Sequence, residues 1–178
     1  MKTLLKFTLF FAGIAFLSCS KDDANQEKKF AELSGNWEVT SYSYRGNTEF
    51  RAINTNETWS TSYFGDGWLM NFNFVFSENP NTYAINGQHR IDHYFTDRNG
   101  NEYYYSTELN RDEVGTFTRN NNTSLTFNVN ELFKEGFIVD LNDTTLKFNI
   151  TFSSSETDDD NILSTSTRNE TYILKRIN

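Results

Sequence analysis

The two histidines of this 178-residue chain, His89 and His93, lie four residues apart in TYAINGQHRIDHYF. On a helix that spacing would put both imidazoles on one face, close enough to share a metal ion. On a strand it holds them about 13 Å apart, far beyond two metal–nitrogen bonds of about 2 Å. The neighbours decide for the strand. Tyr83, Ile85, Gly87, His89, Ile91, His93 and Phe95 alternate with polar residues, so both rings are predicted on the inward side of a ribbon. Two roles then stay open. Neutral inward imidazoles can satisfy polar groups of a core, or they can orient a ligand in an interior cavity. In the second case Tyr103, Tyr105 and Arg119 would keep them company, with Phe72, Phe74 and Phe127 as apolar lining.

Other polar clusters read as turns. Asp97, Asn99, Asn101 and Glu108 in DRNGNEYYYSTE have spacings like those of a calcium loop, but Glu102 stands where such a loop needs glycine. A hairpin around the Asn99-Gly100 pair is the better reading. ETDDDN, from Glu156 to Asn161, is a solvated acidic turn between the last two strands. The chain carries no nucleophile elbow, phosphate loop, chelating motif or cysteine–histidine pair, so no catalytic residue, no metal site and no cofactor is expected. An enzyme is not predicted.

The elements that would position the histidines are strands. WLMNFNFVF places Trp68, Met70, Phe72, Phe74 and Phe76 on one face, with Asn71 and Asn73 on the other. LKFNITF sets Leu146, Phe148, Ile150 and Phe152 against Lys147, Asn149 and Thr151. SLTFNV alternates Leu125, Phe127 and Val129, and GFIVDL alternates Phe137, Val139 and Leu141. Seventeen Phe, nine Tyr and a single Pro suit half-buried antiparallel strands filled with rings. Strands are predicted over 36–45, 68–77, 81–95, 102–109, 114–119, 123–129, 136–142, 144–153 and 165–177, with no helix of ten residues. Eight or nine consecutive strands joined by short turns favour an all-β, up-and-down antiparallel barrel of about eight strands, closed to remove its edges. A two-sheet sandwich is the alternative.

The only cysteine, Cys19, follows an apolar run and precedes a burst of charge in FLSCSKDD. Lys2 and Lys6 with LFFAGIAFL read as a secretory signal over residues 1–18, too short to span a membrane as a helix of roughly 20 apolar residues. Phe16-Leu17-Ser18-Cys19 resembles the lipobox of bacterial lipoproteins, with Phe16 where that family usually has Leu. The resemblance implies cleavage before Cys19 and acylation of its thiol and new N-terminus, which anchors the chain durably. Ser20 after the cysteine looks like outer-membrane sorting. SKDD resembles the surface-export tag of Bacteroidetes lipoproteins, and a plain charged linker is the alternative. Residues 19–33 are then lipidated N-terminus and linker, and 34–178 the domain. Loss of Lys2 and Lys6 moves the net charge from −8 to −10, which disfavours nucleic acid, whose phosphates need clustered cations. It also disfavours anionic head groups, so membrane contact should come from the lipid. Asp143-Thr144-Thr145 resembles the O-glycosylation sequon of Bacteroidetes envelope proteins.

LSGNWEVTSYSY opens the first strand with Gly35-x-Trp37, and FIVDLNDTTLKFNITF with ETYILKRI closes the chain. Together they resemble lipocalins and the lipocalin-like lipoproteins of Bacteroidetes over about a third of the mature chain, at its two ends. The resemblance implies that Trp37 plugs the closed end of the barrel and that Arg176 or Lys175 packs over it as a cation. It also implies that Gly46–Gly67 forms a lid loop across the open mouth, contributing Phe50, Trp59, Tyr63 and Phe64. An extra strand or an ordinary surface excursion is the other reading of that segment. The resulting expectation is an outer-membrane or surface lipoprotein, held by Cys19, whose barrel binds a small apolar ligand. The rival is a surface module with a core solid with Phe, whose loops bind protein or glycan.

Overall fold

A computed structural model describes residues 31–129 and 132–177; the segment expected to be a signal, and Cys19, lie outside them. Period-two patterning produces eight strands: β1 (Gly35–Ala52), β2 (Thr58–Glu78), β3 (Asn81–Thr96), β4 (Glu102–Arg119), β5 (Ser124–Val129), β6 (Leu132–Leu141), β7 (Thr145–Thr157) and β8 (Ile162–Ile177). Each pairs antiparallel with the next, and β8 returns to β1, which closes the barrel. The closure rules out the sandwich. The buried aromatic rings fill the inside, while Glu38, Arg45, Glu49, Asn71, Glu108 and Asp112 are exposed outside.

Three expectations change. The segment Gly46–Gly67 is no lid. β1 and β2 run on through it as one long hairpin that turns only at 53–57, so Phe50, Trp59, Tyr63 and Phe64 are strand residues. The stretches 102–109 and 114–119 are a single strand, β4, continuous through Arg111 and Asp112. And the inward face is misassigned wherever a bulge shifts it.

Bulges insert one residue and flip the side-chain phase beyond them. In β2, Trp68 faces Arg90 and Asn71 faces Gln88, so Leu69 and Met70 together oppose His89. Leu69 takes a left-handed φ of 49° to do so. Trp68 is thereby turned outward, 39% exposed, while Met70 packs on the core. In β6 the register shifts between Ile138 and Asp140. Phe137 and Val139, expected inside, are 45% and 54% exposed, and Ile138 is the buried residue instead. Leu141, beyond the bulge, packs inward as expected.

The lower half of the barrel is solid. Phe74 meets Phe76 at 5.7 Å and Phe148 at 5.5 Å, and Phe76 meets Phe117 at 5.7 Å. Phe127 stands edge-on to Tyr83 at 5.2 Å. The chain before β1 seals the bottom. Leu33 is fully buried, although residues up to 33 were expected to be linker. The Trp37 indole donates to the Leu33 carbonyl at 2.9 Å. Arg176 lies over the Trp37 ring and donates to the carbonyls of Ser34 and Glu32, each at 2.6 Å. Glu78 accepts from the amides of Leu33 and Ser34 and, at 2.8 Å, from Arg119.

Candidate functional site

The upper barrel differs from the lower because β5 and β6 are short. β4 pairs with β5 only over Thr116–Arg119, and β6 meets β7 only up to Thr151. Above those rungs the wall between β4 and β7 is missing. The inner face of the remaining strands is therefore open at the top and on one side. Its residues are polar and aromatic rather than purely apolar.

Tyr42 is at the centre of this region. A bulge in β1 between Val39 and Ser41 moves the inward phase from Trp37 and Val39 to Tyr42 and Tyr44. The Tyr42 hydroxyl donates to Glu170 at 3.1 Å and accepts from Arg168 at 2.7 Å. Arg168 pairs with Glu170 at 2.8 Å, and its guanidinium lies 4.0 Å from the centroid of the Tyr44 ring. Tyr172 gives its proton to the other Glu170 oxygen at 2.8 Å. Burial and the Glu170 carboxylate raise the pKa of Tyr42 and Tyr172, so both remain donors at all physiological pH values.

Both histidines face inward, as the alternation predicts. His89 is 1% exposed, stacked on Phe72 at 4.5 Å and edge-on to Tyr42 at 5.5 Å. Neither of its ring nitrogens has a hydrogen-bond partner among the described residues. Burial, with help from the nearby Arg111 charge, pushes its pKa down to about 4, so the ring is neutral at pH 7. His93 stacks on Tyr105 at 4.5 Å, and its Nδ1 lies 2.5 Å from the Tyr44 hydroxyl. Burial and then Arg168 lower its pKa too. When Tyr44 donates to Nδ1, the neutral ring carries its proton on Nε2, which is buried without a partner among the described residues.

The expected company is only partly assembled. Tyr105 joins His93, and Tyr103 stacks on Phe95 at 4.8 Å near the rim. Arg119 is at the opposite, sealed end beside Glu78, and takes no part in this cluster. Phe72 supports His89 from below, whereas Phe74 and Phe127 belong to the packed core and line no opening. Alternation alone missed Tyr42 and Tyr44, hidden by the bulge. It could have found Arg168, Glu170 and Arg111, which share the phase of Tyr172, Leu174 and Phe117.

The outer face carries two further features. Phe64 stacks on Tyr94 at 4.7 Å, and Tyr94 packs on Tyr104 at 5.0 Å. Beside them Trp68 lies under Arg90 at 4.6 Å and donates to Asp92. A hollow of about 600 Å³ lies near the tip of the β1–β2 hairpin, among Glu49, Arg51, Thr58, Ser60 and Thr165. The Asp97–Asn101 stretch and the acidic stretch around Asp158 are both turns. Asp97 caps the amides of Asn99 and Asn101, and Asp158 those of Asp160 and Ile162. Among the described residues no group of three or more His, Cys, Asp or Glu is placed to hold a metal. Thr144 is exposed in the β6–β7 turn, its hydroxyl donating to Asn142.

No protein family, curated protein or solved structure matches this chain.

Proposed function

We propose that this chain is a bacterial outer-membrane or surface lipoprotein, anchored through Cys19, whose barrel binds a small molecule at its open end. One observation carries the reading. The interior is divided into a filled lower half and an upper half lined by tyrosines, histidines and arginines, where the wall between β4 and β7 is missing. This reading puts the site above the packed Phe core, among polar and aromatic side chains, and not within that core. Phe148 packs against both Phe74 and Phe127, so the lower half is close-packed. Binding belongs above Phe72, with His93, Tyr105 and Arg168 in contact.

The second reading is an interaction module that never takes a small ligand. The solid lower core and the outer rings of Phe64, Tyr94 and Tyr104 favour it.

Two measurements test the proposal. Fractionation of cells expressing Cys19→Ala should move the protein out of the membrane pellet; a variant that still sediments removes the lipid anchor from the account. Titration of the purified protein with the solvatochromic dye nile red should give saturable fluorescence that Tyr105→Ala weakens. An unresponsive dye would leave the interaction module as the better reading.

A further inference from the structure

The buried groups around Tyr42 are unevenly matched. The Glu170 oxygens are occupied by Tyr42, Tyr172 and Arg168, and the Glu113 carboxylate accepts from Tyr83 at 2.7 Å. What is left over is mostly N–H: Nε of Arg111, Nε of Arg168, Nε2 of His93 and the one protonated nitrogen of neutral His89, whose other nitrogen is an unpartnered acceptor. Arg111 has no ion pair among the described residues, although the chain as a whole carries a net charge of −8. Its guanidinium lies 6.0 Å from the centroid of the Tyr42 ring, the same ring that His89 meets edge-on. Arg111 stands opposite Gly87 and His89 opposite Leu109, so the two are diagonal neighbours on the inner face. Gly87 offers no side chain there.

We propose that the open end takes its ligand anion-first, with a carboxylate-like oxygen group held by His89 and Arg111 beneath Arg168 and His93. The inference rests on the small-molecule reading above and specifies the ligand's class. A surplus of donors recognises acceptors, and a charged acceptor makes the strongest bonds to guanidinium and imidazole N–H. Phe72 closes the floor under His89, so no long hydrocarbon tail can continue downward. The remainder of the ligand points up past Tyr105 and Phe152, whose rings offer it flat apolar contact. The class is therefore a compact organic acid, aromatic or short-chain.

The probes are benzoate and octanoate, each with its uncharged amide, added to the full-length protein while imidazole and guanidinium nitrogens are followed by NMR. Benzoate is expected to shift the His89 ring and the Arg111 Nε–H, and benzamide to bind at least about tenfold more weakly. Arg111→Met should lose about tenfold in benzoate affinity and Arg111→Lys less. In both variants the ring-current shift of His89 on Phe72 reports an intact fold. Nile red distinguishes the two levels. Dye binding without any carboxylate response overturns this inference and leaves the small-molecule site standing. Equal binding of benzoate and benzamide also overturns it, as does a high-resolution structure in which fixed waters occupy the His89 and Arg111 donors and benzoate leaves them in place. Silence from dye and acids alike overturns both.

Discussion

Arg176, two residues from the end of the chain, lays its guanidinium carbon 4.2 Å from the centroid of the Trp37 ring, near the start of the first strand. The pair joins β1 to β8, whose pairing closes the barrel, since Trp37 and Arg176 are also partners in the ladder. Arg176→Met should keep the apolar stem but lose the cation–π contact and the two carbonyl bonds. A destabilisation of about 1–2 kcal/mol is expected, read as a lower midpoint in denaturant at unchanged slope. Trp37→Ala, which empties a fully buried site, should cost about 3–5 kcal/mol.

Glu78 fastens the chain ahead of β1. Burial acts to raise its pKa, but Arg119 and the amides of Ser34 and Leu33 outweigh that and hold it below the usual value. Glu78→Gln keeps the shape and removes the charge. Faster hydrogen exchange at Leu33 and Ser34, with little change in the β3–β4 rungs, is the expected result. Uniform loss of protection would mean that this seal is integral to the whole barrel.

The β6 bulge makes a paired prediction. Ile138→Ala should cost about 2–4 kcal/mol as a core truncation, and Val139→Ala, on the outer face, under about 0.5 kcal/mol. Thermal melts of the two proteins measure this directly. The reverse order would restore simple alternation through β6.

His89 should make the fold acid-sensitive. Phe72 from β2, Tyr42 from β1 and Arg111 from β4 pack around it, and none of them offers a negative charge to a protonated ring. Its pKa is about 4 folded against 6.5 in the unfolded chain, so between those values the unfolded state binds more protons. Stability is therefore full above pH 6.5 and falls as the pH drops towards 4, by about 3 kcal/mol. His93, shifted in the same direction, adds to the trend. His89→Phe should flatten the stability curve in that window. An unchanged slope would assign it to other groups.

Much of the architecture could be read from the residue pattern, because ring-rich alternation and polar turns force half-buried antiparallel strands and leave few ways to cover their edges. Strand phase was less legible. Tyr42, Trp68 and Val139 all point opposite to naive alternation, because each lies at or beyond a bulge, and a bulge needs only one extra residue with no sequence mark of its own. The long β1–β2 hairpin is hard to see in the sequence, since Arg51, Asn54, Asn56 and Glu57 dilute the alternation near its tip. Of the upper cluster, the histidines stood out by rarity. Arg111, Arg168 and Glu170 are camouflaged, because charged residues are normally assigned to the solvent face; here an open wall lets them turn inward, and Arg168 and Glu170 also pair with each other.

The chain comes in beneath the sealed floor, where Glu78, Trp37 and Arg176 grip residues 32–34. A lipid on Cys19 would therefore attach on the side of the blind base, with a contour of at most about 40 Å between Cys19 and Ala31. The rim bearing Trp59, Tyr103 and Phe95 then rides uppermost, like the cup of a moored buoy. Whatever it captures would come from the aqueous side, and it would have no route for passing cargo straight down into the bilayer.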